Sequence, residues 1–140
     1  MTSAGWAEQR REAAAVHAER LASREQAVND RARALLAEFV AVAREQLPAQ
    51  PLRVLGYGGR GSARSNVTGW YLRADRTSGV STSGEFYVLT APLTLRDRLV
   101  GVEPAPSPPP MVLGAGGKDG ESLDLPVALE RLLPGWRSRR

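Results

Sequence analysis

The chain has 140 residues, 42% of them hydrophobic, enough for one domain with a real core and an appendage. With no cysteine and a single histidine, disulfides, thiol catalysis and cysteine-held metals are excluded, and no imidazole-rich metal centre can be built. The formal charge of +4 is carried by residues 48–140, with twelve basic and eight acidic groups, while residues 1–47 balance seven against seven; a basic surface favours anionic partners without naming one.

Lys118 is the only lysine and alanine is abundant, the coding bias of a GC-rich, bacterial genome. The N-terminal stretch joins no basic region to an apolar run of the kind a secretory signal needs. The longest apolar runs fall well short of the roughly 18 residues that span a bilayer. The expectation is a cytoplasmic protein without a membrane segment, a metal or a cofactor.

Residues 5–47 read as one helix, rich in Ala, Glu, Gln, Arg and Leu and free of proline; Pro48 and Pro51 stop it. Ser3 is a candidate N-cap. Ala14, Leu21, Val28, Leu35 and Val42 recur every seven residues, and Ala18, Glu25, Ala32 and Phe39 follow four residues after the first four. This is a heptad seam with a charged interruption at Glu25. Leu36, Val40, Ala43 and Leu47 add a second apolar row, so residues 32–47 present a broad face and the stretch before them a narrow alanine-rich stripe. A broad face suits burial on a globular body; a narrow stripe suits another helix. Such a helix would span about 64 Å at ~1.5 Å per residue, against roughly 30 Å for the body that follows. About half of it should overhang. Either a second copy, a helical protein partner or a fold-back at Asn29-Asp30 must then cover the stripe.

The remainder is expected to form a small antiparallel sheet of four or five short strands with a C-terminal amphipathic helix. Residues 52–56, 67–73 and 85–91 are the candidate strands, with 98–103 a fourth after a helical turn started by Thr94, and 111–113 a further short one. The turn-rich segment 74–84 closes a long hairpin. PAPSPPP, 104–110, suits polyproline II along the surface, a rigid spacer rather than a docking motif. GAGGKDGES, 114–122, is a glycine-rich loop. Leu125, Leu129, Leu132 and Leu133 lie on one face of a helix over 123–133 with Ser122 or Asp124 as its cap, and Pro134-Gly135 ends it. The organisation is thus a long helix, 1–47, a small α+β domain, 48–136, and a loose basic tail, 137–140, although Trp136 is a candidate to dock.

Four stretches invite a chemical reading. Gly56, Gly58 and Gly61 spell G-x-G-x-x-G after a strand, and Asp75 follows at a suitable distance. A dinucleotide site also needs a helix after the glycines, and SARSNVTG is too short and turn-rich to supply one. A mobile loop is the plain reading, with an anion site at Arg60, Arg64 and Arg53 the alternative. GAGGKDGES misses the nucleotide-triphosphate loop pattern, since Val112 and Asp119 stand where glycine and a hydroxyl are required. GVSTSG lacks the strand-to-helix elbow of a serine hydrolase, and the only histidine, His17, is far along the helix. Finally, Arg53, Arg60, Arg64, Arg73 and Arg76 are interleaved with Tyr57, Trp70 and Tyr71. That pattern suits a phosphate and base-stacking platform, against the plain alternative of solvated charges around an inward Trp70. The favoured reading is a non-enzymatic interaction protein that forms a homodimer or docks a helical partner through the seam. The alternative is an anion or nucleic-acid binding module built on residues 53–76.

Overall fold

A computed structural model describes residues 3–114 and 122–139. The fold is α+β. Helix α1, Ser3–Gln46, runs for 44 residues without a break, about 66 Å at ~1.5 Å per residue, so there is no fold-back at Asn29-Asp30. The Leu47 N–H still donates to the Ala43 carbonyl at 2.8 Å before Pro48 ends the ladder.

Burial divides α1 in two. Ala32, Leu35, Leu36, Phe39, Val40, Val42 and Ala43 are buried, and no described residue before Ala32 is. The broad face therefore does what its width predicts: it packs on the body.

The main sheet runs in the order β4-β3-β2-β1-β5, from strands β1 (Gln50–Gly56), β2 (Ser62–Tyr71), β3 (Ser78–Ser81), β4 (Phe86–Val88) and β5 (Thr90–Ala91). It is mixed rather than wholly antiparallel as expected, because β5 pairs with β1 in parallel, Leu55 opposite Thr90. The cause lies in the segment 85–91, expected as one strand. Its first part sits on the β3 edge and its last part on the β1 edge. Leu89, between them, bonds both: its N–H donates to Thr77 and its carbonyl accepts from Leu55, each at 2.8 Å. One short segment thus ties the two edges together and leaves the sheet curled on itself, which protects both edges. Inside the curl lie Leu52, Val54, Val67, Tyr87 and Leu89.

The other sheet face carries Trp70, Leu72, Val80 and Phe86 against α1 and the C-terminal helix. Gly69 is required at one crossing, since a Cβ there would run into the Val80 carbonyl on the neighbouring strand. Two further expectations about the sheet change. Strand β2 begins at Ser62, five residues early, because Ala63 and Val67 both turn inward. Strand β3 lies within the segment expected as a hairpin loop, where one valine among serines and glycines gives little β signal.

Residues 98–103 are not a strand. Helix α2, Leu95–Val100, is set by a capping box in which the Asp97 N–H donates to the Thr94 hydroxyl at 3.1 Å and the Thr94 N–H to the Asp97 carboxylate at 2.9 Å. Within 98–103 only Val102 forms a β-bridge, parallel to Ser65. The proline run stays outside the strands, although Ser107 donates to Phe86 at 2.8 Å and Pro109 is buried. Strand β6, Val112–Leu113, pairs with β7, Leu123–Asp124. Helix α3, Leu125–Leu132, buries Leu125, Ala128 and Leu129. Asp124 occupies its N-cap position without a side-chain capping bond.

The tail is not loose over 137–139. Trp136–Arg139 form a single 3-10 turn, with Trp136 only 2% exposed and edge-on to Phe39, ring centres 5.5 Å apart. Arg139 and Gln46 exchange two hydrogen bonds, at 3.0 and 3.1 Å, closing the tail onto the root of α1.

Candidate functional site

Two surfaces stand apart from the packed body. The first is the outer half of α1, residues 3–31. The seam residues split at its boundary: Ala32, Leu35, Phe39 and Val42 are core, while Ala14, Ala18, Leu21 and Val28 are exposed. Leu21 keeps 49% of its surface in water and Val28 37%; Trp6 and Val16 are also exposed, but on other faces of the helix. The stripe continues the line of the buried face, so whatever covers it lies on the same side of the helix as the body. Asp30 and Arg33 form an i,i+3 ion pair at 3.2 Å near the boundary. Among the described residues, Arg11 and Glu25 make no ion pair and no side-chain hydrogen bond.

The second surface is the arginine region, which the fold splits. Arg53 and Arg64 are direct cross-strand partners on β1 and β2. Two like charges opposite each other are unfavourable unless an anion or a neighbouring acceptor relieves them. Part of the relief is local: Arg53 Nε donates to Ser62 Oγ at 3.1 Å, and Arg64 to the Leu99 carbonyl at 3.3 Å. Arg60 lies close by in the glycine loop. The Arg98 side chain packs beside Gly61, within 3.0 Å of where a Cβ would sit. Arg60 and Arg98 help line an open cleft of about 480 Å³ with Tyr57, Pro92 and Leu93.

Arg73 and Arg76 do not join this group. Arg73 is a structural tie, donating to the Leu113 carbonyl at 3.0 Å and to Asp75 at 3.2 Å. Arg76 has φ of 62° and places its guanidinium 5.3 Å from the Tyr71 ring centre. The Tyr71 hydroxyl accepts from the Arg53 N–H at 2.8 Å, and Trp70 is 3% exposed. The expected aromatic platform is thus used internally, and of its three members only Tyr57 is freely exposed, at 59%.

The G-x-G-x-x-G loop has a structural explanation. A Cβ at Gly56 would collide with the Arg60 carbonyl, and the Gly56 N–H donates to Gly61 at 2.8 Å. The glycines close a hairpin into the antiparallel strand β2, and no crossover helix follows. Most of the second glycine loop, residues 115–121, Asp119 among them, lies outside the described residues.

Sequence reasoning overlooked the outer face of α2. Leu95, Leu99 and Val100 are 72%, 71% and 65% exposed, next to the Arg64–Arg98 group. The helical turn expected from Thr94 runs on through Val100, and Asp97, which completes the capping pair, is the signal that argues against a strand at 98. A cleft of about 590 Å³ between Val127, Trp136 and Arg137 was also not foreseen.

Two groups have displaced pKa values. Burial would raise the Asp75 carboxyl, but hydrogen bonds from the Thr77 hydroxyl and N–H, with Arg73 beside it, hold it below the usual carboxylate range. Burial, then the hydrogen bond to Glu85 and its charge, push the Tyr87 phenol up. Both sit in structural contacts. Among the described residues no cluster of three or more His, Asp or Glu could hold a metal ion, and no helix is long and apolar enough to cross a membrane. Comparison with protein-family models, curated proteins and solved structures gave no match.

Proposed function

We propose that this is a non-enzymatic interaction protein, cytoplasmic, that presents the outer half of α1 as a docking rod for a second helix, whether from another copy of the chain or from another protein. One observation carries the reading: a single unbroken helix is anchored in the core through Ala32–Ala43 and continues outward with the same stripe uncovered at Ala14, Ala18, Leu21 and Val28. An isolated, alanine-rich helix half with exposed leucine and valine gains stability chiefly from packing that stripe. The paired change Leu21→Asp, Val28→Asp should abolish association while the sheet stays folded. A molar mass that is monomeric before and after the change, with no helical partner bound, would count against it.

A second reading is favoured by the Arg53–Arg64 cross-strand pair together with Arg60 and Arg98. Arg60 and Arg98 line the glycine-loop cleft, and with the Arg53–Arg64 pair they support an anion site for phosphate or carboxylate groups and, more weakly, for nucleic acid. Affinity should then fall steeply with salt. Binding of a phosphate-bearing oligonucleotide that persists unchanged after Arg60→Ala and Arg64→Ala would dismiss it.

A further inference from the structure

We infer that the helix covering α1 is a second copy of this chain running antiparallel, with Arg11 of each copy reaching Glu25 of the other. This rests on the docking reading above and specifies the partner. Between residues 3 and 31 the seam positions are alanine, leucine and valine apart from two, Arg11 and Glu25, which carry opposite charges. Neither has an ion-pair partner among the described residues.

Parallel pairing fails on two counts. It sets Arg11 against Arg11 and Glu25 against Glu25, like charge on like in both places. It also places both globular bodies in the same gap, because each body sits on its own seam from Ala32 onward. Two helices in contact at Leu21 cannot have two domains between them eleven residues later, at Ala32.

Antiparallel pairing removes both conflicts. The bodies go to opposite ends, and the available length selects the register. Setting Val28 beside Ala4, and Ala18 beside Ala14 of the second copy, brings the start of each helix level with the last free turn of the other. A shift of one heptad deeper would seat Ala7 on Ala32 and Ala4 on Leu35, which the body already covers. A shift the other way carries Arg11 and Glu25 two further turns apart. In the selected register Arg11 and Glu25 of the second copy are offset by about one turn, roughly 6 Å. Side chains on a helix lean toward its N-terminus, so in opposed helices these two lean toward each other and close that offset. The twofold axis repeats the contact.

The flanking row Arg10, His17 and Arg24 works against the pair, with Arg10 only about 3 Å along the axis from Arg24 of the second copy. Those positions are solvated and screened by salt, whereas Arg11 and Glu25 are within the seam. The seam charges therefore set the orientation, and the flank keeps the association modest.

Charge reversal in the full chain tests this by molar mass and dimer Kd. The wild-type chain is expected at twice 15.1 kDa. Arg11→Glu alone and Glu25→Arg alone should each weaken the dimer at least tenfold, as should any variant that leaves two like charges facing. An equimolar mixture of these two variants, and the double variant R11E/E25R, should recover it. Because the chain has no cysteine, orientation can be read by cross-linking. Val28→Cys mixed with Ala4→Cys should form an interchain disulfide, and Val28→Cys alone should not. A dimer indifferent to both reversals, or one that cross-links through Val28→Cys alone, overturns the antiparallel pairing and leaves docking through α1 standing. A wild-type chain that stays monomeric at its highest soluble concentration overturns self-association itself.

Discussion

The indole N–H of Trp70 donates to the Leu47 carbonyl at 3.1 Å, joining the centre of the sheet to the last turn of α1. Phe39 stands edge-on to the same indole with ring centres 6.3 Å apart and edge-on to Trp136 on its other side. Sheet, long helix and C-terminal turn meet at this aromatic trio. Trp70→Phe keeps most of the volume but leaves a helix-end carbonyl without its donor, a loss of about 1–2 kcal/mol. Phe39→Ala also opens a cavity between two indoles and should cost about 3–5 kcal/mol. Urea titration followed by tryptophan fluorescence would rank them. Equal effects from the two changes would mean that the trio does not organise the core.

The two halves of α1 should answer mutation differently. Leu36 is fully buried and Leu21 is half exposed. Leu36→Ala is expected to destabilise the chain by about 2–5 kcal/mol, whereas Leu21→Ala, measured where the chain is dissociated, should stay within about 0.5 kcal/mol. A Leu21→Ala loss independent of protein concentration would show that the outer half packs on its own body.

Asp75 should contribute to the acid limb of stability and Tyr87 to the alkaline limb. The Asp75 carboxyl is depressed in the folded state, so its contribution is present above the unfolded value, near 3.8, and is lost as pH falls through the folded one. Tyr87 is raised, so the unfolded phenol ionises first and stability falls as pH climbs past about 10. Asp75→Asn should therefore flatten the acid limb of a stability–pH curve, and Tyr87→Phe the alkaline limb. Limbs that keep their shape in these variants would assign the pH dependence to other groups.

Much of the helical architecture was legible because its signals are long and periodic. The seven-residue recurrence from Ala14 to Val42 and the second row from Leu36 to Leu47 marked both the helix and the point where its face widens. The leucines of α3 were equally plain. The sheet was harder. Ser78–Ser81 gains strand conformation from neighbours rather than from its own residues, and the split at Leu89 arises from closure of the sheet, which no local pattern encodes. The arginine region looked like one surface because its members are close in sequence. Strand pairing brings Arg53 to Arg64 but sends Arg73 to Leu113 and Arg76 to Tyr71, while Arg98 comes from a helix where the residue pattern alone suggests a strand.

Because α1 enters the core without a hinge, its outer half is fixed in bearing as well as in reach. Adding one residue between Val28 and Ala32 would advance the tip by only about 1.5 Å but would swing its stripe through roughly 100°. A whole extra turn would almost restore the bearing and lengthen the arm by about 5.4 Å. Whatever grips the tip is thus held at a set distance and angle from the globule, so the spacer obeys a rule of phase more strictly than one of length.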